Sequence, residues 1–289
     1  MHINMKYYIV TIGAIFISLG IGMLVGFNLN YDQELSKQQS EVINDLDTKF
    51  DELRNTNNDL EEKLKSLNLS YDKTIDFIND NVDKLIPQEL ENQNIGIIST
   101  NGSTDVNYAE EAIIKANGNI SFNINFTSNI TDESLLNKLS QETKTDIKNS
   151  QQLIGYVLDT LKSEGAQQKL QTLENLGLVD VRSLKSDYMN TTSVVLSGEG
   201  KTKDFKSEFE NLDKILIDKL KSEDKYIVGI ETTDTKSSYI ELYSESKIAT
   251  VDNINQGSGQ LALVLALKDG KVTGSFGIGD NAKNLIPYK

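Results

Sequence analysis

Two interleaved series of mainly apolar positions run through residues 32–71, each with a period of seven residues. The first series is Leu46, Leu53, Leu60 and Leu67, and the second is Ile43, Phe50, Asn57, Leu64 and Tyr71. Residues three or four apart lie on one face of an α-helix, and two such series form the d and a positions of a coiled coil. The pattern therefore predicts a helix with a pairing seam, which consists of Leu46, Phe50, Leu53, Asn57, Leu60, Leu64 and Leu67.

Asn57 occupies an a position in this seam. A buried Asn there lowers stability but fixes the register and favours two parallel strands, because the two amides can bond each other. The predicted partner is therefore a second copy of the chain, arranged in parallel. Lys49 at g would face Arg54 at e of that copy, a like-charge pair that weakens the preference. The alternative is a solitary amphipathic helix that folds back on its own globular domain.

An almost entirely apolar segment, residues 9–27, precedes the seam. Its 19 residues would span about 28 Å as a helix, close to the thickness of a hydrocarbon core. Small residues fall at every fourth position, a surface on which two membrane helices can approach closely, at Ala14, Ser18, Gly22 and Gly26. We expect an uncleaved single-pass anchor with its N terminus in the cytoplasm. A cleaved signal peptide is the alternative, but residues 26–31 offer no small-residue cleavage site.

Beyond Pro87 the pattern changes to short apolar runs that alternate with helical periodicity. The runs predict five strands, at Asn94–Ser99, Ile120–Phe126, Ser193–Ser197, Tyr226–Ile230 and Ala249–Val251. Helices are predicted at Asp105–Ala116, from near Thr131, over a long polar section at 144–178, and at Phe205–Leu220, Ser237–Glu245 and Ser258–Leu267. This alternation predicts an α/β fold with a mainly parallel sheet flanked by helices, of the flavodoxin-like, doubly wound type.

The predicted organisation has three parts. Residues 1–30 form a membrane anchor helix, residues 31–86 a coiled-coil stalk, and residues 87–289 an α/β globular domain.

Composition and charge narrow the classes of function. The chain has 289 residues and a formal net charge of −14, so it lacks the basic footprint of a nucleic-acid-binding protein. It has no Cys, so it has no thiolate nucleophile and no thiolate metal ligand. The other soft-metal donors are few and scattered: His2, Met1, Met5, Met23 and Met189. We therefore expect no nucleic-acid partner, no cofactor, no metal-binding residues and no catalytic residues, and hence no enzyme.

Ligands of an open α/β sheet bind beyond the carboxyl ends of its strands. The loops expected there are Thr100–Asp105, Gly198–Gly200, Thr232–Thr235 and Asp252–Gly259. The last of these is the candidate loop, through Asp252, Asn253, Gly257 and Gly259. Its glycines either bind a small anion at a helix start or permit tight strand–helix packing. Packing is favoured, because a Walker lysine and a dinucleotide fingerprint are both missing. A hydrolase that uses Asp252 with a metal is a weaker hypothesis.

The order of these parts resembles the MctB-like family of bacterial copper-transport proteins, which are described as outer-membrane proteins. The resemblance rests on Tyr8–Gly26, the helix after it, the Asn94 strand, Thr250-Val-Asp-Asn253, Gly259–Leu267, Phe276-Gly-Ile-Gly279 and Leu285-Ile-Pro287. It implies a single-pass protein of the bacterial cell membrane with an extracytoplasmic C-terminal domain and a role in copper transport or homeostasis. The alternative is a dimeric cell-envelope scaffold without a copper role, which docks on an envelope protein or a cell-wall polymer.

Overall fold

The computed structural model of the chain describes residues 5–100, 102, 105–185 and 188–287, with the backbone alone for residues 28–34. Its contacts divide the chain into two compact units, Met1–Asp72 and Lys73–Lys289. Five residues that the sequence analysis considered lie outside the described part: Met1, His2, Asn101, Ser103 and Thr104. The finer division into anchor, stalk and globular domain stays a prediction.

Helix α1 spans Met5–Leu85, 81 residues without a break. Its first part, Met5–Phe27, is long and apolar enough to cross a membrane, with 23 residues and a mean hydropathy of 2.3. The Ser18 hydroxyl within this part donates to the Ile15 carbonyl at 2.9 Å, so it does not need a water partner. The predicted helix across the seam is confirmed, whereas its pairing as a coiled coil stays a prediction.

The second unit is built on one seven-stranded sheet. Its strands are β1 (Asn94–Thr100), β2 (Asn119–Phe126), β3 (Val179–Leu184), β4 (Ser193–Ser197), β5 (Tyr226–Ile230), β6 (Ala249–Val251) and β7 (Gly274–Phe276). The order across the sheet is β3-β2-β1-β4-β5-β6-β7, and every neighbouring pair is parallel except β2–β3. The chain moves outward from β1 to β2 and later returns to continue from β4 on the other side of β1. The predicted α/β class, with a mainly parallel sheet, is confirmed.

Helices cover both faces of this sheet, because its central strands are apolar on both sides. They are α2 (Val106–Lys115), a 3₁₀ turn (Ser128–Thr131), α3 (Glu133–Thr143), α4 (Ser150–Lys162), α5 (Ala166–Asn175), α6 (Phe205–Asn211), α7 (Asp213–Ser222), α8 (Ile240–Glu245) and α9 (Gly257–Asp269). One core joins the sheet to α2, α9 and the last turns of α1, which contribute Ile78 and Val82. The other core joins the opposite face to α3 through α8.

The structure contains two strands, β3 and β7, that the sequence analysis did not predict, one at each edge of the sheet. Strand β3 is only half buried and exposes Asp180 and Arg182, so its sequence lacks the apolar run of a central strand. Charged residues are usual on edge strands, because they discourage pairing with another chain. Strand β7 begins with a glycine and has only three residues, so it is too short to give a periodic pattern.

Two predicted helical stretches are each divided in two. The predicted helix Phe205–Leu220 is α6 and α7, separated at Leu212, whose φ of −133° is not helical. This break starts a new helix at Asp213, whose side chain is fully buried. The predicted section 144–178 contains α4 and α5, separated near Gly165, which has a φ of +75° that favours glycine.

Candidate functional site

Two adjoining cavities open where the parallel strands end, at the carboxyl edge of the sheet. The larger has a volume of about 420 Å³ and is lined by residues that follow β5, β6 and β7: Glu231, Thr232, Thr233, Thr235, Ser238, Ile240, Asp252, Ile278, Gly279, Asp280 and Asn281. The smaller, of about 370 Å³, is lined by Gly102, Asp105, Tyr108, Glu199, Lys201, Thr232, Asp234 and Thr235. Because Thr232 and Thr235 line both, we describe the two cavities together as the carboxyl-edge cleft.

The charge of this cleft is strongly negative. Its carboxylates are Asp105, Glu199, Glu231, Asp234, Asp252 and Asp280, against the single cation Lys201 among these lining residues. The Lys201 ammonium forms an ion pair with Glu199, so it does not neutralise the carboxylates further along the cleft. A concave surface lined by one sign of charge concentrates ligands of the opposite sign. The cleft is therefore suited to a cationic ligand and poorly suited to a phosphate.

Asp252, in the candidate loop, holds the turn that follows β7. Its Oδ1 accepts the Ile278 amide at 2.9 Å and its Oδ2 accepts the Gly279 amide at 3.0 Å. Burial raises the pKa of Asp252, and these two hydrogen bonds oppose the rise. A Cβ at Gly277, which has a φ of +132°, would lie 1.9 Å from Oδ1. The turn therefore requires glycine at position 277 in order to wrap the carboxylate.

Asn253 and Gly259 form the contact between the end of β6 and the first turn of α9. The Asn253 amide donates to the Ser258 hydroxyl at 2.9 Å. A Cβ at Gly259 would lie 2.0 Å from the Asn253 carbonyl oxygen, so only glycine fits there. This contact is the tight strand–helix packing that the sequence analysis favoured for these glycines.

The start of α9 is also held by the last turns of α1. The Ser258 amide donates to the Asn79 side-chain oxygen at 2.8 Å, and a Cβ at Gly257 would lie 2.7 Å from the Asn79 Cα atom. One of the amides that an anion would use at this helix start is therefore already bonded within the unit. The role of Asp252, Asn253, Gly257 and Gly259 as a ligand-binding loop stays a prediction.

Glu231 is the cleft residue that the sequence analysis missed. It directly follows β5 and is only 8% exposed. Burial raises its pKa to about 7, the negative charges of Asp252 and Asp105 add to this rise, and hydrogen bonds from Ser238 and the Tyr239 amide oppose it. Its Oε2 atom has no hydrogen-bond partner among the residues that the structure describes. The only sequence signal was its position at the carboxyl end of a predicted strand.

A second buried carboxylate, Asp213, lies beside the carboxyl ends of β1 and β4. It is fully buried and accepts hydrogen bonds from the Tyr243 hydroxyl at 2.6 Å and the Thr100 hydroxyl at 3.0 Å. A Cβ at Gly198 would lie 2.2 Å from the Thr100 hydroxyl oxygen, so the network leaves no space for a ligand. We interpret Asp213 as a structural residue beneath the cleft.

Soft-metal donors are sparse in the described part of the chain. Among those residues, no group of three or more His, Cys, Asp or Glu side chains is arranged to hold a metal ion. Met189 is 74% exposed and belongs to the second unit, whereas Met5 and Met23 lie in the apolar part of α1. The polar donors of the cleft are mainly carboxylate, hydroxyl and amide oxygens, which suit hard cations rather than Cu(I).

The sequence model of one family, described as copper transport outer membrane protein, MctB, matches residues 2–287. The chain belongs to the MctB family. The match covers the apolar segment, the long helix and the α/β unit, so the resemblance stated from the sequence is confirmed. No curated protein matches the chain in sequence. MctB is a copper-transport family and is not a known enzyme family.

Two motifs that carried the resemblance to MctB meet in the structure. They are Thr250–Asn253 at the end of β6 and Phe276–Gly279, which begins at the last residue of β7. Asp252 joins the two motifs through its hydrogen bonds with the Ile278 and Gly279 amides. These motifs therefore build one wall of the carboxyl-edge cleft.

Proposed function

We propose that the chain is a single-pass membrane protein whose α/β unit lies outside the cytoplasm and serves copper transport or homeostasis without catalysis. The observation that carries this proposal is the MctB match over residues 2–287, which includes the apolar segment as well as the α/β unit. The length and composition of Met5–Phe27 support membrane anchoring.

The ligand atoms that this chain offers limit how it could bind copper. Cu(I) is held by soft thiolate and thioether ligands, and this chain has no Cys and only four Met. We therefore propose that it acts on copper through oxygen donors or through a partner protein. The acidic carboxyl-edge cleft supplies oxygen donors.

Deleting the gene from the source cell is expected to change its tolerance of copper salts and its copper content. The wild-type chain should restore both, because the role belongs to this protein. Zinc and nickel serve as matched metals for which the deletion should have little effect. Unchanged copper tolerance together with unchanged cellular copper would contradict the proposed role.

A second candidate function, a dimeric envelope scaffold, is favoured by the exposure of the seam. Its six apolar residues are between 49% and 66% exposed on the single helix: Leu46, Phe50, Leu53, Leu60, Leu64 and Leu67. Burying them against a second copy would stabilise the pair by roughly 1 kcal/mol for each side chain. Asn57 in the same stripe supports the parallel arrangement.

Cysteine cross-linking tests the parallel dimer cleanly, because the natural chain has no Cys. An Asn57→Cys variant of the full-length protein, oxidised in its membrane, should form a disulfide-linked dimer, since identical a positions meet in a parallel pair. Asn55→Cys is the matched control, because position 55 is an f position that points away from the seam. Equal cross-linking of the two variants, or none at Asn57→Cys, would contradict the parallel dimer.

The control variant also reports the orientation in the membrane. In intact cells, Asn55→Cys should react with a membrane-impermeant maleimide if the segment lies outside the cytoplasm. Labelling only after the cells are lysed would contradict the proposed orientation.

A further inference from the structure

Two features of Glu231 lower the stability of the fold. The residue is only 8% exposed, and its Oε2 atom lacks a hydrogen-bond partner among the described residues. A buried carboxylate without full hydrogen bonding costs on the order of a few kcal/mol in stability. The residue nevertheless lines the larger cavity of the carboxyl-edge cleft, where a ligand could supply the missing interaction.

The neighbours of Glu231 indicate the charge of that ligand. Asp252 lines the same cavity, is only 7% exposed, and adds its negative charge to the environment of Glu231. Asp252 is fixed in place by its two backbone amide bonds, so it cannot turn away from Glu231 to relieve the repulsion. A positive charge between the two carboxylates would relieve the repulsion and satisfy Oε2 at once.

We propose that the carboxyl-edge cleft binds one hard divalent cation through the carboxylates of Glu231 and Asp252. Hydroxyl groups on the same wall, those of Thr232 and Thr235, lie 3.3 Å apart and are further oxygen donors. The remaining ligands are water molecules, for which a cavity of about 420 Å³ leaves ample space.

The number and kind of donors decide the class of cation. No third carboxylate, His or Cys completes a protein cage among the described residues, which excludes the four-ligand arrangement of structural zinc there. Mg²⁺ and Mn²⁺ are commonly held by one or two carboxylates while they keep several waters. This inference goes beyond the copper proposal and does not depend on it, because it follows from the oxygen donors alone.

Titration of the full-length protein with Mn²⁺ tests the site, after removal of bound metal with a chelator. Hydrated Mn²⁺ gives a sharp electron paramagnetic resonance signal, and binding broadens it. We expect one tightly bound Mn²⁺ per chain, displaced by excess Mg²⁺. Glu231→Gln should weaken this binding about tenfold or more, because it removes one of the two negative charges that bind the cation. Glu241→Gln is the matched control, since Glu241 is exposed on α8 and the change in net charge is identical.

Thermal unfolding in the same samples separates a lost ligand from a damaged fold. In chelator at pH 8, Glu231→Gln should melt at or above the wild-type temperature, because it removes a buried charge. Added Mn²⁺ should raise the melting temperature of the wild type and of Glu241→Gln, but not that of Glu231→Gln. Equal Mn²⁺ binding by Glu231→Gln and the wild type, or no Mn²⁺ bound by the wild type at millimolar concentration, would overturn the proposal.

Discussion

Replacing Gly259 with alanine is expected to destabilise the α/β unit by about 3 kcal/mol or more. The added Cβ would lie 2.0 Å from the carbonyl oxygen of Asn253 and 2.4 Å from its carbonyl carbon. Both are backbone atoms, so the clash cannot be relieved by rotating a side chain. Either α9 moves away from the end of β6, or the loop that carries Asp252 moves and releases the turn after β7.

Urea denaturation of the full-length protein, followed by near-ultraviolet circular dichroism, measures this loss. The signal reports the second unit, because its buried tyrosines Tyr188, Tyr239 and Tyr243 lie in a packed core. Gly155→Ala is the matched control: Gly155 lies inside α4, and its Cβ would approach only the flexible end of Lys219, at 3.2 Å. That change should be neutral or slightly stabilising, because alanine favours helix over glycine. If Gly259→Ala unfolds at the same urea concentration as the wild type, the packing described at the start of α9 is contradicted.

The sequence predicted those elements whose residues follow a strong local period. The seven-residue spacing from Leu46 to Leu67 predicted the long helix, and apolar runs such as Asn94–Ser99 predicted the central strands. These strands are buried along most of their length, so their burial shows in the sequence as a run of mainly apolar residues. The glycines of Gly257–Gly259 also indicated close packing, although the partner atoms at Asn79 and Asn253 did not follow from sequence spacing.

The elements that were missed depend on contacts between distant residues. Strand β3 is recognisable only through its antiparallel pairing with β2, since its own residues are half exposed. Asp213 lies inside a stretch with a helical period, and its importance arises from Thr100 and Tyr243, which are 113 and 30 residues away. In the sequence alone, nothing distinguishes Glu231 from other polar residues at the ends of predicted strands. It became a site residue only when the structure placed Asp252 beside it and showed that Oε2 is buried.

The two missed carboxylates share one physical feature, a buried charge. For Asp213 and Glu231 alike, burial raises the pKa to about 7. They differ in access: Asp213 is enclosed by Thr100, Tyr243 and Gly198, whereas Glu231 lines a cavity open to solvent. Asp213 therefore affects the stability of the fold, whereas Glu231 is accessible to a ligand. In the absence of a bound cation, both should make the stability of the unit depend on pH in the same direction.

For Asp213 the sign of that dependence follows from its two pKa values. The carboxyl has an ordinary pKa near 3.8 when the chain is unfolded and a pKa of about 7 in the fold, so the folded state holds its proton more tightly. Between these values the folded protein binds more protons than the unfolded chain, and the free energy of unfolding falls as pH rises. The stabilisation is complete below about pH 4 and is lost by about pH 7, a change on the order of a few kcal/mol.

Asp213→Asn is expected to flatten the fall in stability between pH 5 and 8 and to make the protein more stable than the wild type at pH 8. The asparagine amide mimics the protonated carboxyl, since its oxygen still accepts the Tyr243 hydroxyl without a buried charge. Urea midpoints in chelator at several pH values measure the slope, and Glu231→Gln gives the separate contribution of the second carboxyl.

The surface groups with lowered pKa values, among them Asp132 and Asp234, act with the opposite sign and in a more acidic range. Asp218→Asn, an exposed change on the same helix, should keep the wild-type slope. A wild-type slope in Asp213→Asn would show that the buried carboxyl is ionised throughout this range.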